Sequence, residues 1–209
     1  MKSWFTLDEL NKTKRFESYL HLYRYNFASK NLEGKILDIG CGAGYNLKNK
    51  NWYGIDVDKN AVKLAKITGK AKYGSIFKIP FKNETFDGIC CLEVVEHVKD
   101  KKKAIKEIFR VLKYNGKVIV STLNPRLIKI AKSLGWKDKV HNFQDDFIFE
   151  KDLKSLFGSY GFKLISSHHF FWFPPILKPL FCLHNFLGEI FKPICYDYLL
   201  VFKKIEKSI

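Results

Sequence analysis

Arginine is scarce in this 209-residue chain: Arg15, Arg24, Arg110 and Arg126 stand among 37 basic side chains, and lysine carries the rest of a net charge of +16. Readers of nucleic-acid sequence favour arginine for its bidentate fork. The lysine excess therefore fits a solvated or heat-adapted surface as readily as an acidic partner such as nucleic acid or an anionic membrane. Paired cysteine motifs are absent too. Cys41, Cys90, Cys91, Cys182 and Cys195 are odd in number, show no C-x-x-C spacing and mostly sit in apolar stretches, so they read as reduced core residues and give zinc little support. No charged-then-apolar leader opens the chain, since Lys2, Asp8 and Glu9 fall within the first ten residues; neither a signal nor a transit peptide is expected, and a cytoplasmic place is. An uninterrupted membrane-length apolar run is missing as well. The most apolar stretch, 171–187, contains Pro174, Pro175, Pro179 and Lys178, which argues against a spanning helix.

What remains describes a chain that folds. Hydrophobic residues make up 46% and aromatics 16%, enough for one domain with a sizeable core. Its centre of organisation is Ile36-Leu37-Asp38-Ile39-Gly40-Cys41-Gly42-Ala43-Gly44-Tyr45. A short apolar run of this kind suits a strand buried on both faces of a parallel sheet, and the alternate glycines let backbone approach a ligand closely. The spacing G-x-G-x-G differs from the dinucleotide fingerprint G-x-G-x-x-G. Asp38, just before the turn, would repel a pyrophosphate and suits a ligand bearing an ammonium, such as an amino-acid nucleoside.

In LDIGCGAG the chain resembles the class I S-adenosylmethionine-dependent methyltransferases, whose first motif is an apolar strand followed by Asp/Glu-x-Gly-x-Gly-x-Gly. The resemblance implies an α/β, Rossmann-like seven-stranded sheet, mostly parallel with a closing antiparallel hairpin and helices on both faces. It implies S-adenosylmethionine as cofactor. Asp38, Gly40, Cys41, Gly42 and Gly44 would line its site. Asp56, closing the second strand Trp52–Asp58, would accept from the ribose hydroxyls; Asp58 is the better cap for the following helix. Val57 and Leu92 belong to the same candidate set. Further on, Ile79-Pro80-Phe81 matches the family's turn, but Ser75 replaces its usual acid, leaving the Ile76 backbone N–H to meet the adenine.

Before this turn, Thr6-Leu7-Asp8-Glu9 has the form of a capping box, with Phe16, Tyr19, Leu20, Tyr23 and Phe27 following at helical spacing. A helical cap over 1–30 is expected, from which Arg24 could reach a ligand carboxylate or simply face solvent. After the fourth strand comes Glu93-Val94-Val95-Glu96-His97. As a first helical turn it would put both carboxylates and the imidazole on one face, half of a site for Mg²⁺, Mn²⁺ or Zn²⁺; acids at a helix start also occur for dipole reasons alone. CLEVVEHV followed after one helix by VIVSTLN is similar to the ubiquinone-biosynthesis O-methyltransferases and, more distantly, to the small-RNA 2′-O-methyltransferases. That likeness adds His141 to Glu93, Glu96 and His97 as divalent-cation ligands at an acceptor hydroxyl, with His97 or Glu93 as the catalytic group. The implied core spans 31–170, with an insertion at 171–195 and a last strand in 196–209. The insertion reads as a substrate cap, an interfacial element at a membrane, or an oligomer contact. A phenolic, quinol or other lipid-like acceptor would unite the first two; RNA as acceptor and a non-catalytic cofactor-binding subunit are the alternatives.

Overall fold

The computed structural model describes residues 15–133, 147–170, 190 and 195–205. His141, the capping box at Thr6–Glu9, and the 171–187 stretch lie outside them. Among the described residues a seven-stranded sheet runs in the order β3-β2-β1-β4-β5-β7-β6. The chain order is α1 (Arg15–Asn31), β1 (Ile36–Ile39), β2 (Trp52–Asp56), α2 (Lys59–Thr68), β3 (Lys70–Tyr73), β4 (Phe86–Leu92), α3 (Lys101–Val111), β5 (Leu112–Leu123), α4 (Pro125–Ser133), α5 (Glu150–Gly158), β6 (Phe162–Phe170) and β7 (Asp197–Lys204). The first five strands are parallel and β7 runs antiparallel between β5 and β6.

β1 is four consecutive buried residues, the pattern of a strand covered on both faces. Alternation along it splits the core. Leu37 and Ile39 join Ile89, Cys91, Val118 and Val120 under α3 and α5. Ile36 joins Cys90, Ile119, Leu199 and Val201 under α1 and α2. Asp38 and Asp197 share parity with this second set, so both carboxylates belong to the face that α1 covers.

Local signals set the helix ends. The Asp58 side chain accepts from the Asn60 and Ala61 N–H groups and caps α2, while Asp100 accepts from Lys103 N–H and caps α3. Only a 3-10 turn, Tyr45–Lys48, separates the glycine turn from β2, as the short spacing requires. α3 ends at Val111, four residues short of the Asn115-Gly116 pair, because Leu112 already pairs with Phe86 as the start of β5. Lys204, fully buried at the end of β7, donates to the carbonyls of Phe109 (3.0 Å) and Leu112 (2.8 Å), placing a cation at the C-terminus of α3.

Since β2 lies to one side of β1 and β4 to the other, the winding reverses between β1 and β4. In open α/β sheets ligands bind outside the carboxyl ends of the strands at such a reversal. Asp56, Leu92, Ser121–Asn124 and, because β7 is antiparallel, Asp197 all come to that edge.

Candidate active site

The turn after β1 is built from backbone in the left-handed region: Gly40, Gly42 and Gly44 have φ of 74°, 52° and 84°. They are not equivalent. A methyl group at Gly40 would come within 2.5 Å of Val94 Cγ2, and one at Gly44 within 2.7 Å of the Ala65 backbone, so these two are required by the packing of the protein on itself. At Gly42 a methyl would meet nothing within 4 Å. The turn therefore presents bare backbone to open space at its middle, which is the form of a cradle.

Asp56 supports that cradle directly. Its Oδ2 accepts from the Gly42 N–H at 2.9 Å and its Oδ1 from the Asp58 N–H at 2.8 Å. Each oxygen keeps a second lone pair, so the fixed carboxylate can still accept from a diol. Next to it Val57 is about half exposed, an apolar side chain left uncovered beside the turn. Ile76 is buried, and Ser75 uses its hydroxyl to accept from the Phe77 N–H at 3.2 Å. Cys41 is buried against Gly54, and Leu92 is half-buried at the end of β4.

Asp38 is buried beneath this turn. Asn46 Nδ2 donates to its Oδ2 at 2.8 Å, and it pairs across the strands with Cys90. Burial pushes its carboxyl up to about 7, opposed by the Asn46 hydrogen bond. Such a carboxyl is only partly ionised near neutral pH, and the ammonium of an amino-acid ligand would favour its charged form. The donors and acceptors present thus fit an amino-acid nucleoside on three observations: the open Gly42 backbone, the Asp56 carboxylate and buried Asp38.

The acceptor end differs from the helical turn expected for Glu93–His97. Glu93 has φ 56° and Val94 has φ −120°, and only Val95–His97 form a 3-10 turn. The i, i+3, i+4 register is lost, and the three side chains sit in different surroundings. Glu93 accepts at Oε1 from the Ser121 hydroxyl at 3.2 Å, and Ser121 Oγ in turn accepts from the Glu93 N–H at 3.1 Å. Glu96 is fully buried beside Thr122, and burial followed by the nearby Glu93 pushes its carboxyl well up. His97 is exposed. Among the described residues no three His, Cys, Asp or Glu side chains converge as metal ligands. The three described members of the expected cation quartet thus do not fit a shared ion.

Arg24 is also placed differently from expectation. It lies in the buried stripe of α1 formed with Leu20 and Ala28, and only 3% of it is exposed. Its Nε and Nη2 bond Asp197 Oδ2 at 2.6 and 2.5 Å, and Nη2 lies 3.4 Å from Glu93 Oε2. The carboxylates it reaches are the protein's own. Burial works against its charge, but Asp197 and then Glu93 more than offset this and hold the guanidinium above its ordinary range. His21, one turn earlier on α1, is held neutral, its imidazole lowered to about 4 by burial and by Arg24. Asp197 and His21 carried no sequence signal, since neither belongs to a motif and the partner of Asp197 lies 173 positions away along the chain. A second buried pair, His169 with Glu150 (2.9 Å), flanks the same edge; Ser167 and Lys154 add hydrogen bonds at 2.5 Å each, and together these partners lower the Glu150 carboxyl to about 2 against its burial.

Comparison with known proteins agrees with this geometry. A family model for the methyltransferase domain matches residues 12–167. The chain is 36% identical over 174 residues to the uncharacterized protein MJ0638 of Methanocaldococcus jannaschii, spanning 80% of this chain and 72% of that one. It is 25% identical over 191 residues to the mitochondrial ubiquinone biosynthesis O-methyltransferase of Dictyostelium discoideum, spanning 76% of this chain and 58% of the relative. Its fold is shared with a crystallised SAM-dependent methyltransferase of Archaeoglobus fulgidus, at a TM-score of 0.68 and 19% identity over 95% of this chain and 98% of the other. With its glycine turn at the reversal of a seven-stranded sheet closed by an antiparallel strand, the chain belongs to the methyltransferase-domain family and has the fold of the class I S-adenosylmethionine-dependent methyltransferases.

Proposed function

We propose that the protein methylates a hydroxyl of a phenolic, quinol or other lipid-like small acceptor, with the cofactor held along the ends of β1, β2 and β4. The observation that carries the reading is the open Gly42 backbone braced by Asp56 above buried Asp38. In it, Asp38 meets the amino group, Asp56 the ribose hydroxyls, and Val57 and the Ile76 backbone flank the base, with Gly40, Cys41, Gly44, Ser75 and Leu92 shaping the walls. When bound, S-adenosylmethionine supplies an electrophilic methyl group on a sulfonium.

The chain's own part is to place the acceptor oxygen, remove its proton and keep water out. Glu93 suits the proton, because its side chain is 17% exposed at the end of β4 while its neighbours in the cluster are sealed. His97, exposed three residues from Asp100, is the second candidate base. Support for an oxygen acceptor comes from the pairing of Glu93 with Ser121, which opens the Ser-Thr-Leu-Asn stretch that resembles the ubiquinone-biosynthesis enzymes, and from the similarity to the relative of that name. In this reading 1–30 caps the site, 31–170 forms the core, 171–195 closes over or delivers an apolar acceptor at a membrane surface, and 196–209 completes the sheet. No helix of the described residues is long and apolar enough to cross a membrane.

The test is incubation of the protein with methyl-labelled cofactor and, separately, a quinol-containing lipid extract, a phenol panel and total RNA. Label in the lipid or phenol fraction, weakly dependent on salt, is the expected result. Label in RNA with a steep salt dependence would overturn the acceptor class, and cofactor uptake with no transfer to any fraction would favour a binding subunit.

A further inference from the structure

The acceptor end contains a charge cluster that the cofactor site does not use. Arg24 on α1, Glu93 after β4 and Asp197 at the start of β7 are brought together from three distant parts of the chain, with the guanidinium between the two carboxylates. Asp197 is 1% exposed and Arg24 3%, so a water-filled site is not what holds them. The remaining titratable groups around the cluster are His21 on α1, Glu96 in the 3-10 turn, His169 on β6 and Tyr196 just before β7. None of these brings a second fixed positive charge as close to Glu93 as Arg24. A divalent ion at Glu93 would have to share that carboxylate with a guanidinium 3.4 Å away, and the two cations would repel.

We propose that Arg24 is the resident cation of the acceptor site: fixed by Asp197, its guanidinium orients Glu93 and takes the place of the divalent ion that the E-x-x-E-H pattern implies. The inference rests on the proposed role of Glu93 at the acceptor. Asp197 accepts from Nε and Nη2 at one oxygen, which fixes the plane of the guanidinium and leaves Nη2 directed between the carboxylates. Arg24 is thus a positioning residue that acts through Glu93. It also makes α1 part of the acceptor site, because the cation arrives only when the helix packs across the sheet.

Two measurements on the full-length protein decide this without requiring the acceptor. In the first, Mn²⁺ is titrated into chelator-treated wild type and followed by its solution electron paramagnetic resonance signal. No stoichiometric site is expected. A 1:1 site that Glu93→Gln abolishes would overturn the proposal.

In the second, melting of Arg24→Ala is followed with and without 10 mM methylguanidinium. A cation that refills the vacated position with a millimolar dissociation constant should raise the variant's Tm by roughly 4 °C, and should leave wild type and the Arg24→Ala/Asp197→Asn double variant unmoved. An unchanged Arg24→Ala melt would count against a discrete cation position. If Arg24→Ala does not fold, Arg24→Lys replaces it: a compact ammonium cannot reproduce the fork, so a Tm equal to wild type would contradict the proposal and a lower one is expected.

S-adenosylmethionine titration of wild type runs alongside. Cofactor uptake together with a Glu93-dependent Mn²⁺ site sinks this inference and leaves the function standing. Absence of uptake sinks the function, while the melting experiment still judges the cation.

Discussion

The two halves of the catalytic edge are built in opposite ways. On the β1–β2 side, Asp38, Gly42 and Asp56 lie within 19 positions of one another and are held by local hydrogen bonds: Asp56 accepts from the Gly42 N–H, and the Asn46 side chain donates to Asp38. On the β4–β7 side, Arg24, Glu93 and Asp197 span 173 positions and meet only through side chains. The first half is a local device, its strain confined to glycines. The second is a tertiary device, depending on the docking of α1 and on the last strand being in place. Substitutions in the first should therefore damage cofactor binding and spare the fold. Those in the second should damage the fold and the acceptor chemistry and spare cofactor binding.

The largest effect is expected at Arg24. Its removal leaves Asp197 as a buried, uncompensated charge and Glu93 without its cationic partner, a loss of about 3–5 kcal/mol. Melting of Arg24→Ala should fall by roughly 10 °C, while calorimetry on the folded fraction shows cofactor affinity within about threefold of wild type, below 1 kcal/mol. A large loss of affinity would erase the contrast between the halves.

Asp56→Ala is the reciprocal case. It deletes the acceptor of Gly42 and Asp58 N–H groups and of the proposed ribose contacts, so cofactor affinity should drop by roughly 100-fold, about 3 kcal/mol of charge-assisted hydrogen bonding. The melting temperature of the cofactor-free protein should move far less than that of Arg24→Ala.

Gly42→Ala sharpens the point within the turn. Its methyl group has room in the protein, and the left-handed conformation costs only about 1–2 kcal/mol. Because the methyl projects into the proposed ligand space, affinity should fall by about tenfold or more, beyond what the shift in Tm explains. An unaltered cofactor affinity would place the ligand elsewhere.

The last effect is the pH dependence set by Asp38. Its folded carboxyl is raised to about 7 from the 3.8 of the unfolded chain, so the folded state binds more protons between these values. The cofactor-free protein should therefore lose stability as pH rises from about 4 to 7 and change little from this source above 7. Binding of an ammonium favours the ionised carboxylate, so affinity should rise across the upper part of the same interval with release of a proton. Asp38→Asn should flatten both trends, as read by melting and by calorimetry in buffers of different ionisation heat.

Legibility in the sequence follows the same division. β1, the glycine turn, Asp56 at the end of β2 and the Asp58 and Asp100 caps are each specified by neighbours in sequence, so spacing located them; the β6–β7 pairing joins Phe170 to Asp197 across a long intervening stretch and was implied by the family resemblance instead. Glu93–His97 misled because helical spacing was assumed for residues whose backbone turns left-handed at Glu93, just before Val94 packs against Gly40. Arg24 misled for a different reason. A charged residue on an apolar helix face looks solvent-directed until its partner is known, and Asp197 sits 173 residues away with an ordinary strand around it.

The most direct test is calorimetric titration of wild-type protein with S-adenosylmethionine, run beside Asp56→Ala. One mole bound per mole of chain, weakened by roughly two orders of magnitude in the variant, is predicted. No binding to wild type, or equal binding to both proteins, would contradict the placement of the cofactor over Gly42.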